Sequence, residues 1–402
     1  MKDGIEQTDL SKITVFNGAK EFIQNQKNKG NIPIIVSDSH PNYVKPIAEQ
    51  IFDVEYVSLT DKPNSEKTEQ YILSKPKLAE QYHQSKDNFL LIGDSWLDIQ
   101  LGRKLNIRTV YTRFYKATEI EERDGIGQDW KPIKSGPTFF ANNFSELEEI
   151  IENPIEKLLA IESIFQNGNS DEMTKFLYRN YNGNFVAFRC LARQEDGECD
   201  RYARADKYYQ IDNPQRSEDF LSKIATGVEN YLKRVARFPE YHWDYFTYVS
   251  DKTTTKPPNK MREIFELVNT SFKKKKLFEW NENVTGNLRN QPNYQARREF
   301  ISSNLNLISN IDLTDKNIIV LDDQFTSSAT ANEISYQLRK NGAKNILFIA
   351  LFYLILPIES KICPNCGQLM KIKIRREDGN RFYSCVPPQY RGDGCGHTEN
   401  IE

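Results

Sequence analysis

Two adjacent acids, Asp322 and Asp323, close an apolar run in "NIIVLDDQFTSSATA" (317–331), and the hydroxyls of Thr326, Ser327, Ser328 and Thr330 follow at once. Like charges side by side repel, so the pair calls for a ligand. Each carboxylate can accept a hydrogen bond from a sugar hydroxyl or help hold a hydrated Mg2+. The next segment, "QFTSSATANEISYQLRKNG", opens a helix with small residues, Ala329 among them. Its backbone N–H groups and hydroxyls suit a phosphate, and the helix dipole favours the negative charge. Ribose hydroxyls on the acids and a 5-phosphate in the loop together describe phosphoribosyl pyrophosphate. A second pair, Asp94 and Asp98, stands in "LLIGDSWLDIQLG" (90–102), one acid at a strand end and the other at the start of a helix. Carboxylates at that spacing can converge on one Mg2+. The third set is Cys363-x2-Cys366 with Cys385 and Cys395, four thiolates that would hold a tetrahedral Zn2+.

These residues need elements to position them. Residues 1–153 alternate short apolar runs with helical segments, the pattern of a parallel α/β domain. Strands are expected at "IPIIVS" (32–37), "VEYVSL" (54–59), "FLLIGDS" (89–95) and "RTVYTRF" (108–114). Helices are expected over 42–52, 75–84 and 96–106, and a last strand and helix over 137–153. After "ENPIE", helices and polar loops continue to about residue 240, including a helix over 217–238. A second α/β pattern runs from "YFTYVS" (245–250) to Leu356, so the second domain spans 154–357. Residues 358–402 form a small tail whose "LMKIKI" and "RFYSC" read as a hairpin about "EDGN". The fold class is α/β: two Rossmann-like parallel-sheet domains plus a small C-terminal β zinc ribbon.

The 317–331 stretch resembles the phosphoribosyltransferase signature, with Ser328 standing where that family usually has Gly. "LRNQPNYQARREFISSNLNL" (288–307) resembles the corresponding segment of competence-protein ComF-like members, and "LRKNGAKNILFIALF" (338–352) their helix, Gly turn and strand. The resemblance covers roughly 200–356. It implies Mg2+-dependent displacement at ribose C1 through an oxocarbenium-like state. Asp322 and Asp323 would lie on the ribose, and Thr326, Ser327, Ser328, Ala329 and Thr330 on the phosphate. It also implies a pyrophosphate loop in "SDKTTTKPPNKMR" (250–262), where Lys252, Lys256, Lys260 and Arg262 are basic candidates, and a closing loop that supplies Arg297 or Arg298.

The first domain resembles the haloacid dehalogenase superfamily. "GDSWLD" matches its fourth motif, with Asp94 and Asp98 as Mg2+ ligands. "IPIIVSDS" matches the second, in which Ser37 bonds the phosphoryl group, and "SKP" the third, in which Lys75 offsets negative charge. "MKDGI" aligns with Asp-x-Asp-Gly-Thr, which makes Asp3 the acid–base residue and puts Met1 at the nucleophile position. As written, phosphatase turnover by the family mechanism is not expected.

The tail resembles the zinc ribbon found at the ends of bacterial topoisomerases. Such a module contacts nucleic acid or a protein partner, and Lys371, Lys373, Arg375, Arg376 and Arg381 bias it to basic, with Phe382 and Tyr383 available for stacking. The nine residues between Cys385 and Cys395 make a long second knuckle, with His397 an alternative ligand.

Across all 402 residues, 54 basic and 56 acidic side chains give a net charge of −2, which excludes a bulk electrostatic grip on nucleic acid or membrane. The polar N-terminus and an apolar run at 345–357 too short to span a bilayer give the cytoplasm as the expected compartment. Cysteines there serve as thiols or metal ligands. Two functions fit: a phosphoribosyltransferase acting on a nitrogenous acceptor, or a non-catalytic sensor that binds a nucleotide or phosphoribosyl pyrophosphate and engages a partner through the ribbon. A homo-oligomer is compatible with either, and the fusion would also suit stress response or phage defence.

Overall fold

The computed structural model describes residues 9–58, 62–114, 130–179, 185–194, 216–238, 242–252, 259–282, 284–286, 291, 294–308, 311–325, 329–355, 361–366, 369–374, 381–385, 387 and 394–400. The chain forms two compact units, Met1–Glu152 with Ile358–Lys371, and Asn153–Pro357 with Ile372–Glu402.

In the first unit, α1 (Ala19–Asn28) leads to β1 (Ile34–Val36), which pairs in parallel with β2 (Glu55–Val57). Helices α2 (Glu66–Ser74) and α3 (Pro76–Gln84) follow. Then β3 (Leu90–Gly93), α4 (Trp96–Lys104), β4 (Arg108–Thr112) and β5 (Phe139–Ala141) build a second parallel sheet in the order β3-β4-β5, closed by α5 (Phe144–Glu152). Leu78 and Tyr82 of α3 and Leu101 of α4 share one apolar cluster, against which Ile34, Val36 and Leu91 pack. The helix expected over 42–52 is interrupted. Its α-helical part ends at Pro46 and continues as the wider π-type turn Ile47–Phe52, because proline has no N–H to donate to the preceding turn.

The second unit is built on one seven-stranded sheet. After α6 (Ala160–Phe165) come β6 (Thr174–Arg179), β7 (Phe185–Cys190) and β8 (Arg193–Gln194). The long helix α7 (Glu218–Ala236) precedes β9 (Tyr245–Tyr248), α8 (Lys260–Leu267) and β10 (Lys273–Lys274). A side sheet pairs β11 (Phe278–Trp280) with β12 (Leu305–Leu307), which directly follows α9 (Tyr294–Asn304). Strand β13 (Asn317–Phe325), α10 (Ala329–Lys340) and β14 (Asn345–Leu354) complete the unit. The order is β10-β9-β13-β14-β7-β6, with β8 also on β14, and only β6 runs antiparallel. Helices and polar loops are the expectation for 155–240, yet β6 and β7 form an antiparallel edge there. Their residues, "TKFLYR" and "FVAFRC", are rich in the aromatic and branched types that suit a pleated surface.

Helix α7 forms because its apolar residues recur on one face. Phe220, Leu221, Ile224, Val228, Tyr231, Leu232 and Val235 are all buried. Ser217 caps it, its Oγ accepting the Phe220 N–H at 3.1 Å. Gly227 is needed where α7 meets α6, since a Cβ there would lie 2.9 Å from the Ile161 Cα. Each fully buried side chain of the Ile224 type contributes roughly 1.5–3 kcal/mol. A fully buried charged pair lies in the same unit: Arg193 donates to Glu162 through Nε and Nη2, each at 2.9 Å, and the two side chains are 0% and 1% exposed.

The tail carries β15 (Lys361–Ile362), β16 (Leu369–Ile374), β17 (Arg381–Ser384) and β18 (Thr398–Asn400), in that order in one sheet. Among the described residues no helix is long and apolar enough to cross a membrane.

Removing one partner of the Arg193–Glu162 pair leaves the other charge buried and unanswered. Glu162→Gln is expected to lower stability by about 3–5 kcal/mol, read from the urea midpoint. A change below about 0.5 kcal/mol would show that the site rehydrates.

Candidate active site

Strand β13 delivers the acids. Residues Ile318 to Asp322 are buried, and Asp323 is half-exposed where β13 has passed its last pairing with β9 while still paired with β14. Asp322 Oδ1 accepts the Asp323 N–H at 2.9 Å, which turns the first carboxylate back along the strand. Burial, and then the neighbouring Asp323, hold the Asp322 carboxyl well above the usual carboxylate range. Beside it, Lys260 Nζ donates to Asp323 Oδ2 at 2.8 Å, with the two side chains 7% and 28% exposed. A third acid comes from the end of β9. Asp251 Oδ2 accepts the Met261 N–H at 2.8 Å, and burial pushes its carboxyl up to about 6. The carboxyl-terminal ends of β9 and β13, neighbours in the sheet, and the head of α8 thus bring three acids and one ammonium together. A cavity of about 420 Å3 opens beside Asp251, lined by Tyr248, Asn259, Arg262, Phe265, Glu266 and Lys276 among others.

The remaining expected residues of this unit are placed as follows. Ala329 and Thr330 begin α10, the first buried and the second half-buried. Thr326, Ser327, Ser328 and Lys256 lie outside the described residues. Lys252 is held against aromatic rings. Its Nζ lies 5.0 Å from the Trp280 ring centre and 4.6 Å from that of Phe300, and donates to the Gly286 carbonyl at 3.2 Å. Burial lowers its pKa. Trp280 Nε1 donates to the Ser250 carbonyl at 2.6 Å and Ser250 Oγ to the Phe278 carbonyl at 2.5 Å, so the segment after β9 is tied to β11. Arg298 bridges α9 to α10 through Glu333, Nη2 to Oε2 at 3.3 Å. Asp251 and the Lys260–Asp323 pair are not legible as a set, because Asp323 lies 63 positions beyond Lys260 and further still from Asp251. The one sequence signal was the basic character of the 250–262 loop.

In the first unit, Asp94 follows β3 and Asp98 sits in the first turn of α4. Ser95 and Asp98 form a capping box: Asp98 Oδ2 accepts the Ser95 N–H at 3.2 Å and its hydroxyl at 2.7 Å. Gly93 allows that return, since a Cβ there would meet the Asp98 Cβ at 2.4 Å. Asp98 Oδ1 takes Lys62 Nζ at 2.6 Å, with both side chains about 10% exposed (11% and 10%). The lysine that bonds Asp98 is therefore Lys62, while Lys75 bonds a different acid. Lys75 pairs at 2.6 Å with Glu55 and is 43% exposed, held there because it caps α3 beside β2. Both stand in Lys-Pro dipeptides, 62–63 and 75–76, and spacing alone did not separate them. Ser37, just past β1, accepts the Ser39 N–H on its Oγ at 3.1 Å. Asp3 lies outside the described residues.

In the tail, ligand atoms of Cys363, Cys366, Cys385 and Cys395 all lie within 4.8 Å of one another, the first and third buried and the others exposed. Four sulfurs around a tetrahedral zinc would stand about 3.8 Å apart, so the set fits that ion. The Cys395 N–H already points to Cys385 Sγ at 3.3 Å, the bond a thiolate accepts. His397 Nε2 is at 3.0 Å from Glu399 Oε1, outside the cluster.

No family model matches the chain, and no curated protein does. Solved structures give partial likenesses. One, from Lactobacillus delbrueckii subsp. bulgaricus and described as a phosphoglycolate phosphatase, has 20% identity over 34% of this chain and 53% of its own, with a TM-score of 0.26. A hypoxanthine phosphoribosyltransferase from Staphylococcus aureus has 10% identity over 34% of this chain and 65% of its own, at 0.22. A purine phosphoribosyltransferase from Pyrococcus horikoshii has 13% identity over 38% and 85%, at 0.21. The chain thus spans about half of the first protein and just under two thirds of the second. Each unit's α/β class rests on its own parallel strand pairing.

The raised Asp251 carboxyl has a pH signature. The folded protein holds that proton more tightly than the unfolded chain, so the associated stability is full below about pH 4 and is lost as pH rises through about 6. Asp251→Asn keeps an acceptor for the Met261 N–H without the charge. Its stability relative to the natural protein should climb between about pH 4 and 6 and level off above, in urea titrations at each pH. A difference that stays constant across that range would contradict the assignment.

Proposed function

We propose that the second unit is a Mg2+-dependent phosphoribosyltransferase that acts on phosphoribosyl pyrophosphate. The observation that carries this reading is the placement of Asp322 and Asp323 at the carboxyl end of an internal parallel strand, directly before a hydroxyl-rich segment and helix α10. Asp322 and Asp323 would accept hydrogen bonds from the ribose hydroxyls. The segment from Thr326 to Thr330 would wrap the 5-phosphate with backbone N–H groups and hydroxyls at the head of α10. Lys252 and Arg298, once released from their present partners, would carry positive charge to the leaving pyrophosphate, and Lys256 would add to it. Mg2+ held at the acid pair would neutralise charge on the departing pyrophosphate. The acceptor would be a nitrogenous base.

In the first unit, Asp94 and Asp98 would hold Mg2+ beside a phosphate, Ser37 would bond a phosphoryl oxygen, and Asp3 would serve as acid and base. Lys62 takes the charge-offsetting part at this site. In the tail, the four cysteines would hold Zn2+ as a ribbon that docks nucleic acid or a protein.

Incubation with Mg2+, phosphoribosyl pyrophosphate and a panel of bases should release pyrophosphate. The double variant Asp322→Asn/Asp323→Asn should lose about 100- to 1000-fold of that rate, since the acids act on the reacting sugar. Tight binding of phosphoribosyl pyrophosphate with no release across the panel would replace the transferase by a sensor. Elemental analysis should find about one zinc per chain, falling to near zero in Cys363→Ser/Cys366→Ser. A chain with no zinc after growth in zinc-replete medium would remove the ribbon.

A further inference from the structure

We propose that Lys260 is a built-in counter-cation that competes with Mg2+ for Asp323 and, once displaced, turns to the ligand's phosphates; this rests on the phosphoribosyl pyrophosphate site proposed above. Lys260 is the first residue of α8, and its side chain is almost wholly covered, yet its ammonium reaches Asp323 Oδ2 at 2.8 Å. It stands among three carboxylates. Asp322 adjoins Asp323 in the chain, and Asp251 holds the backbone N–H of Met261, the residue next to Lys260. That N–H bond fixes the head of α8 and hence the root of the lysine side chain.

A metal held through Asp323 Oδ2 would need the oxygen that the ammonium now holds. The ion pair and the metal complex therefore exclude each other at Oδ2, and the strength of the first subtracts from that of the second. The displaced ammonium would not be left without a partner. Its root is the first residue of α8, directly after Asn259 and in the 250–262 stretch that would face the pyrophosphate under the proposed function. An anionic ligand arriving with the metal offers the charge that Asp323 gives up. The exchange keeps the acids neutralised before binding and makes metal and ligand bind cooperatively: metal alone must evict the lysine for nothing, while metal with the polyphosphate rehouses it. It also gives the site a preference for ligands that bring at least two negative charges to the lysine's side.

Calorimetric titration with Mg2+ alone, then with Mg2+ and phosphoribosyl pyrophosphate together, separates these roles. Lys260→Met should bind Mg2+ alone about tenfold more tightly than the natural protein and should bind phosphoribosyl pyrophosphate, at saturating Mg2+, about tenfold more weakly. A merely structural lysine would change the first affinity in the opposite direction, because a loosened site binds metal less well. Lys260→Arg keeps the charge and should stay close to the natural protein in the Mg2+ titration, which controls for loss of folding in the methionine variant. Unchanged or weaker Mg2+ binding in a folded Lys260→Met overturns the competition while leaving transferase activity to stand. No binding of Mg2+ or phosphoribosyl pyrophosphate to the natural protein overturns both.

Discussion

A carboxylate taken out of water needs a positive charge or a donor within reach, and both units are organised around that need. In the first, Asp98 is held by Lys62 and by the Ser95 cap. In the second, Asp323 is held by Lys260, and Glu162 by Arg193. Only the last of these pairs is closed to solvent on both sides. Arg193 and Glu162 also share a backbone link, the Arg193 N–H donating to Glu162 Oε1 at 2.8 Å, so the pair locks α6 to the start of β8. The two lysine pairs leave part of each acid open to solvent.

The sheet of the second unit explains why its acids can be buried at all. β13 lies between β9 and β14, so its backbone is hydrogen-bonded along both edges up to the point where the acids emerge. Aromatic rings close over the other side of this core: Phe188 lies 4.5 Å from Phe325 and 5.2 Å from Phe348, centre to centre. A rigid strand end of this kind positions a carboxylate better than a loop does, and the segment after β9 adds Asp251 from the neighbouring strand. The ties from Ser250 and Lys252 to β11 and α9 give that segment a second anchor. Lys252 contributes to that anchor, its ammonium lying against the Trp280 and Phe300 rings.

Several elements were plain from residue order. The runs at 34–36, 90–93, 245–248 and 317–325 are strands because branched and apolar residues dominate them, and α7 is a helix because its apolar positions repeat every three to four residues. The antiparallel pair of β6 and β7 is not legible from residue order. Its residues carry an aromatic-rich strand signal, but charged and polar neighbours on both flanks made the segment look like loops and helices. The break at Pro46 shows the same limit from the other side, since a proline rule overrode a good apolar period.

The sequence by itself determined which chemistries are present: an acid pair before a hydroxyl loop, a second acid pair at helical spacing, and four cysteines of which two form a knuckle. Those signals are local, carried by residues within a few positions of one another. Only the tertiary structure decided the counter-charges. It chose Lys62 over Lys75, set Lys260 on Asp323, added Asp251, and gathered Cys385 and Cys395 to Cys363 and Cys366. These choices depend on which strand ends and helix heads meet, a matter of sheet order and packing between residues far apart in the chain, and no local spacing encodes it.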